Sequence, residues 1–289
     1  MAVKLGILAG SGSLPAKLID FCKQTDREYF VIAFEDQADP KMIGEAPHSW
    51  VRLGAAGEAL KRLREECCKE LVLAGPIKRP SLSNLRPDRR AAKFISKGFF
   101  SKGDDGLLSG IIKSLEEEEG FKVVGVDSLL SELIAGPGIL GVHFPNNDQE
   151  LDIVRGIEVL YKTGSLDIGQ SVVVSQEVVL AVEAAEGTEE MLIRCKSISN
   201  GGNGGVLIKL PKPGQEKRVD MPAIGPRTVQ KAKESGLSGI AIAANLTLVI
   251  EAEKTIELAN KEGIFIVGLN PNDYKADYVI VRCLIINYD

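Results

Sequence analysis

A strand that ends in a glycine turn and runs straight into a helix is the feature that most constrains this chain. Lys4–Ala9 is short and apolar, Gly10-Ser11-Gly12-Ser13 supplies the turn, and Leu14–Lys23 carries an amphipathic period. The alternation then repeats. Glu28–Phe34 is a second strand, Glu58–Cys68 a helix and Leu71–Ala74 a third strand. Asp104–Glu119 is a helix ended by Gly120, and Lys122–Val126 a fourth strand. A strand that feeds a crossover helix returns parallel to its predecessor, so repeated units of this kind predict a parallel sheet with helices on both faces. The expected fold is α/β, with an N-terminal Rossmann-like domain over 1–134.

Residues 135–147 break the pattern. Ala135-Gly136-Pro137-Gly138-Ile139-Leu140-Gly141 and His143–Asn147 are rich in Gly, Pro and Asn and lack a period, which reads as an interdomain linker. A chain of 289 residues suits two domains. The second, over 148–289, opens with a helix from Asp148 to Tyr161. Strands follow at Ser171–Ser175, Val178–Glu183, Val206–Leu210, Ile240–Ala243, Leu246–Ile250 and Ile264–Leu269. Helices start at Thr188, Pro226 and Ala252, and Gly201–Gly205 is a loop. This predicts a mixed α/β domain. The strand-like tail Tyr278–Ile286 suits an edge or an interface, and a homodimer is expected.

Charge and residue usage narrow the chemistry. A formal charge of −5 and a pI near 5.4 argue against nucleic acid as a partner. Five cysteines without a CxxC pair fit free thiols in a reducing compartment. Met1–Lys4 lead directly into a strand with no signal-peptide pattern, so the chain is expected to be cytoplasmic. No uncharged apolar run approaches the roughly 20 residues that span a bilayer, so any contact with the inner face of the inner membrane is peripheral. Only His48 and His143 are present, which sets histidine triads and histidine-rich zinc sites aside. Carboxylates, lysines, arginines, backbone amides or a bound cofactor must carry the chemistry.

Several segments are candidates. Gly10, Ser11, Gly12 and Ser13 lie where backbone amides and a helix N-terminus meet a phosphate or sugar, although a plain tight turn explains them too. The loop begins like a dinucleotide fingerprint, with Glu35 and Asp36 placed for a ribose, yet Pro15 stands where a third small residue belongs. In Lys102-Gly103-Asp104-Asp105-Gly106 the aspartates either bind a cation or sugar hydroxyls or cap a helix. Arg89–Lys102 mixes Arg89, Arg90, Lys93, Lys97 and Lys102 with Phe94, Ile95, Phe99 and Phe100, as a lipid-contacting helix or an ordinary surface helix does. The richest region lies near the C-terminus. Lys212, Gln215, Arg218 and Asp220 crowd between prolines and glycines, and Glu183 and Glu186 close a strand upstream. Mg2+ prefers oxygen ligands and often bridges one or two carboxylates to substrate phosphates. Asp220, Glu183 and Glu186 supply such carboxylates, while Lys212 and Arg218 offset charge on a transferring phosphoryl group. An ion-pair network that braces the domain is the alternative.

Taken together these segments resemble the LpxI family, the UDP-2,3-diacylglucosamine pyrophosphatases of lipid A biosynthesis. The likeness runs over essentially the whole chain. It covers Lys4–Gly12, Gly75-Pro76-Ile77-Lys78-Arg79-Pro80, Lys102–Asp105, Leu166-Asp167-Ile168-Gly169-Gln170, Leu180–Thr188 and Lys212–Gly225. The resemblance implies Mg2+-dependent hydrolysis of the diphosphate bond, with water attacking the β-phosphorus to give 2,3-diacylglucosamine 1-phosphate (lipid X) and UMP. It implies a C-terminal catalytic domain and two domains that clasp the substrate. It assigns the essential aspartate of an Arg-x-Asp-x-Pro pattern to Asp220, and adds Lys78, Asp104, Asp105, Gln170 and Thr188 as substrate contacts. Glu216 stands where the family usually has Asp, which questions that position as a ligand. Two rival classes remain: a nucleotide-sugar or lipid carrier without turnover, and an NAD(P)-dependent oxidoreductase.

Overall fold

A computed structural model describes residues 2–78, 85–99, 103–198 and 204–274; of 97–99 and 103–105 only the backbone is described. The expectations for Lys102, Phe100, Gly201–Asn203 and the tail lie outside the described residues, as do those for the side chains of Lys97, Phe99, Asp104 and Asp105. The chain divides into two compact units, one of Met1–Glu132 with Glu216–Asp220, the other of Leu133–Gln215 with Met221–Asp289.

In the first unit the elements run β1 (Leu5–Ala9), α1 (Leu14–Gln24), β2 (Tyr29–Phe34), α2 (Pro40–Ile43), β3 (His48–Val51), α3 (Ala56–Glu65), β4 (Glu70–Ala74), α4 (Arg89–Phe99), α5 (Gly103–Glu117) and β5 (Lys122–Val123). The five strands are parallel in the order β3-β2-β1-β4-β5. Successive strands add outward from β1 to β3 on one side, and β4 then starts the other side. The loops after β1 and β4 therefore meet at the point where the winding reverses, the usual ligand crevice of such sheets. The central strands β1 and β2 and residues Leu71–Ala74 of β4 are apolar because both faces are covered. Helix α4 is held by Asp88, whose Oδ1 accepts from the Arg90 and Ala91 amides at 2.9 and 2.7 Å while its Oδ2 accepts from Gly57 N at 2.7 Å. Its Ala91 and Phe94 are buried, and Arg90 and Lys93 pair with Glu119 and Glu118. The described part of this basic, aromatic stretch thus behaves as a surface helix with its apolar face in the core.

The second unit contains β6 (Gly138–Ile139), α6 (Asn147–Gly164), β7 (Ser171–Ser175), β8 (Val178–Val182), α7 (Thr188–Ile198), β9 (Gly205–Lys209), β10 (Ala223–Ile224), α8 (Pro226–Glu234), β11 (Leu237–Ala243), β12 (Leu248–Val249), α9 (Ala252–Glu262) and β13 (Phe265–Leu269). Its six-stranded sheet runs β6-β13-β11-β9-β7-β8, with β9, β11 and β13 parallel and the other three antiparallel to their neighbours. A parallel pair, β10 and β12, stands apart. Residues 135–147, expected as a linker, lie inside this unit. Gly138 and Ile139 pair with Gly268 and Val267, and Ala135 is buried in the core. No helix among the described residues is long and apolar enough to cross a membrane.

One buried carboxylate ties α6 to the sheet. The β7–β8 hairpin turns through Gln176 and Glu177, both left-handed at φ 53° and 59°, as a tight two-residue hairpin requires. Asp152 of α6 is 2% exposed and accepts a hydrogen bond from Glu177 N at 2.7 Å. Burial, opposed by the Glu177 and Gln176 amides, pushes its carboxyl above the ordinary 3.8. The folded chain therefore holds this proton more tightly than the unfolded chain, and the group's contribution to stability declines as pH rises past 3.8 toward the folded value. Asp152→Asn is expected to remove that decline, so urea unfolding followed upward from the ordinary carboxyl value of 3.8 should show the variant gaining on the wild type as pH rises. Asp152→Ala loses the hairpin's acceptor and is expected to cost about 1–3 kcal/mol.

Candidate active site

Polar residues in the second unit gather at one end of the sheet because β7 runs antiparallel to both neighbours. Ser171 starts β7, Lys209 ends β9, and Glu183 follows the last residue of β8. This is also the carboxyl end of the parallel strands β9, β11 and β13. Lys209 and Glu183 are buried, at 6% and 7% exposure. Thr188, the first residue of α7, joins them: Lys209 Nζ donates to Thr188 Oγ1 at 2.6 Å, and Thr188 Oγ1 donates to Glu183 Oε1 at 3.1 Å. The buried Ser171 hydroxyl lies 3.2 Å from the same Thr188 oxygen. With the Thr188 proton committed to Glu183, Ser171 is the donor in that contact. Gln170 N reaches Glu183 Oε2 at 3.4 Å, and Gln170 Oε1 is buried with no hydrogen-bond partner among the described residues.

A short loop braces this cluster. Gly169 has φ 55°, and a Cβ there would fall 2.1 Å from the Glu183 carbonyl oxygen, so only glycine lets the loop pass. Gln170 O accepts from Leu210 N at 2.9 Å. Asp167, left-handed at φ 58°, bonds the ammonium of Lys212, and both side chains are largely buried. Lys212 and Gln215 close on each other: Gln215 Oε1 accepts from Lys212 N at 2.8 Å, and Lys212 O accepts from Gln215 N at 3.2 Å.

Glu216–Asp220 is a turn of the first unit. Val219 N and Asp220 N donate to Glu216 O at 3.2 and 3.1 Å, and Val219 packs against that unit's core. Arg218 holds Glu216 through Nε and Nη2, both at 3.0 Å, and Glu116 of α5 through Nη1 at 2.8 Å. Glu216 and then Glu116 push the guanidinium pKa up, and Arg218 in turn pulls the Glu216 carboxyl below the usual range. Sequence reasoning aims Arg218 at a phosphoryl group, whereas here its charge is offset by two carboxylates and it fixes the turn that carries the half-buried Asp220. Glu216 is its partner in that turn.

In the first unit the glycine loop is bonded to its neighbour. Gly10 N donates to Ala74 O at 2.8 Å, and Ser11 donates to Pro76 O through its amide at 2.9 Å and its hydroxyl at 2.8 Å. Gly75, at φ 85°, would place a Cβ 2.0 Å from Ser11 O. The glycines thus serve the close approach of two loops, and the Gly10 and Ser11 amides are spent within the protein. Gly12 and Ser13 complete the turn ahead of α1, whose second position is Pro15. Lys78 has an exposed side chain, and its amide donates to Gln37 Oε1 at 2.7 Å.

The oxygen donors available suit a hard cation. Within the second unit Glu183 offers a buried carboxylate and Gln170 an amide oxygen with unmet demand; within the first, taken by itself, Asp220 offers a half-buried carboxylate. Glu186 differs: it is exposed, paired with Arg194 at 2.6 Å, and held below the ordinary glutamate range by its own backbone amide and then by Arg194. Among the described residues no three acidic, histidine or cysteine side chains converge as a cage. Mg2+ commonly keeps several waters and takes further ligands from substrate phosphates, so one or two carboxylates suffice for it. The sequence reading omitted Lys209, Ser171 and the pairing role of Asp167. A lysine at the end of an apolar strand gives no local sign that it turns inward.

Comparison with known proteins accounts for both units. Residues 4–133 match the LpxI N-terminal domain and residues 136–267 the LpxI C-terminal domain. A relative from Caulobacter vibrioides, UDP-2,3-diacylglucosamine pyrophosphatase LpxI, is 38% identical over 278 residues, 93% of this chain and 99% of that protein. Among solved structures, the biotin carboxylase domain of Hydrogenobacter thermophilus 2-oxoglutarate carboxylase shares 12% identity over 69% of this chain and 41% of its own, with a TM-score of 0.27, and carries no argument.

Proposed function

The chain belongs to the LpxI family, and from that premise we propose that it hydrolyses the diphosphate bond of UDP-2,3-diacylglucosamine in lipid A biosynthesis, with Mg2+, to 2,3-diacylglucosamine 1-phosphate and UMP. The observation that carries the reading is the 38% identity to the Caulobacter enzyme over almost the full length of both proteins. The reading brings with it a homodimer and a peripheral contact with the membrane that holds the substrate.

Asp220 and Glu183 are the carboxylates proposed to hold Mg2+, which when bound offsets charge on the diphosphate oxygens. Lys212, aimed by Asp167, adds positive charge where the phosphoryl group develops negative charge. Arg218 keeps the Asp220 turn rigid through Glu216 and Glu116. Gln215 fixes the backbone of Lys212, and Thr188 orients Glu183. Water oriented by a carboxylate attacks the β-phosphorus in line with the departing UMP oxygen: one P–O bond forms as the other breaks, and the water's oxygen remains on the sugar phosphate. The glycine loop Gly10–Ser13, Lys78, Asp104, Asp105 and Gln170 are the further substrate contacts proposed.

Incubation with UDP-2,3-diacylglucosamine and Mg2+ in ¹⁸O water tests the reading. The expected products are unlabelled UMP and labelled 2,3-diacylglucosamine 1-phosphate, with turnover stopped by a chelator and restored by added Mg2+. Tight binding without UMP release would make the chain a carrier. Label in UMP would move the attack to the other phosphorus.

A further inference from the structure

Two large apolar side chains stand in solvent on the loop that holds Lys212. Leu166 is 71% exposed and Ile168 41%, one on each side of Asp167. Single exposed apolar residues are ordinary on any surface, but a pair on a fixed loop calls for a cause. This loop is fixed. The Leu166 and Ile168 amides both donate to Thr163 O, at 2.9 and 3.0 Å, and Asp167 N donates to Gly164 O at 3.0 Å. Gly169 is pressed against the Glu183 carbonyl, and Gln170 is bonded to Leu210. With Asp167 turned in to Lys212 and its neighbours turned out, the loop presents an apolar lip above a largely buried ion pair. That lip adjoins the lysine assigned above to the diphosphate end of the substrate, so the occupant it fits is hydrocarbon attached close to that end.

We propose that Leu166 and Ile168 are the contact for the acyl chains of the substrate. The inference rests on the hydrolase reading above, whose substrate joins a diphosphate to a diacylated sugar. It places acyl recognition on the loop that positions Lys212; in the Arg89–Lys102 stretch the described Ala91 and Phe94 are spent in the first unit's core.

Leu166→Ser, Ile168→Ser and the double variant, assayed in the full chain, test it. Both positions are on the surface, so thermal unfolding should stay close to wild type. With monodisperse substrates carrying acyl chains of about four and about eight carbons, wild-type kcat/KM should rise steeply with length, since each buried methylene is worth roughly fourfold. In the double variant KM for the longer chain should increase about tenfold or more, kcat should change less than twofold, and the dependence on length should flatten. Unchanged KM overturns the proposal. So does an equal loss on both chain lengths, which would assign the loop to the polar head. Loss of binding to anionic phospholipid vesicles with these kinetics intact would make the loop a membrane contact and overturn it as well. If the wild type hydrolyses nothing, the hydrolase reading fails by itself. Calorimetric titration of wild type and double variant with 2,3-diacylglucosamine 1-phosphate then decides the acyl contact, with about tenfold weaker binding by the variant expected and equal binding overturning it.

Discussion

Asp220→Asn is expected to lower kcat by on the order of 10²–10³-fold, the usual result of removing one preorganised charged group from a reacting centre. Asparagine keeps the shape and the backbone bond from Asp220 N to Glu216 O while removing the charge. The side chain is half-buried on a turn that Arg218 already fixes, so stability should change little. The assay should follow UMP release across a Mg2+ series, because a carboxylate that holds the ion also raises the Mg2+ concentration needed for half-maximal rate when it is lost. A variant that turns over within threefold of wild type, with the same Mg2+ dependence, would remove Asp220 from the chemistry.

Lys209→Met should produce a large loss of stability. The substitution keeps length and apolar stem but removes the donor to Thr188 Oγ1 and takes the positive charge out of the cluster around the buried Glu183. Removing one member of a buried charged set typically costs about 3–5 kcal/mol, chiefly because the remaining charge is stranded, and for a chain of this size that lowers Tm by on the order of 10 °C. Adding Glu183→Gln to Lys209→Met should return part of the loss, since the stranded charge is gone. Calorimetry on the four members of this cycle gives the coupling directly. A drop within 1–2 °C for Lys209→Met, or strict additivity in the cycle, would mean the ammonium has no energetic link to the carboxylate.

The parallel sheet of the first unit was legible because strand and helix periods alternate over long stretches there. The strands that escaped, β3, β6 and β10, span only two to four residues, too few for a period to declare itself. Gly136–Gly138 misleads for a physical reason. The same glycines that mark a flexible linker let a backbone lie against a strand, and at Gly268 a Cβ would fall 2.1 Å from Gly136 O. Carboxylates and lysines of the site were visible as residue types, but their partners were not. Lys212 meets Asp167 across 45 positions and Arg218 meets Glu116 across 102, and nothing local encodes such pairings. The glycine loop shows the opposite failure. It carries the composition of a phosphate cradle, yet its first amides are spent on β4 and the loop after it.

The placement of Glu216–Asp220 with the first unit bears on how genes of this family can be shuffled. A crossover between two relatives near codon 133 would look clean on paper, falling between two folded halves. It would nevertheless take Glu116 and the apolar socket for Val219 from one parent, and Arg218 and Val219 from the other. Hybrids should therefore survive only where both parents agree on those few residues, so the aspartate offered as the heart of the chemistry is inherited with the N-terminal half in all but reading order.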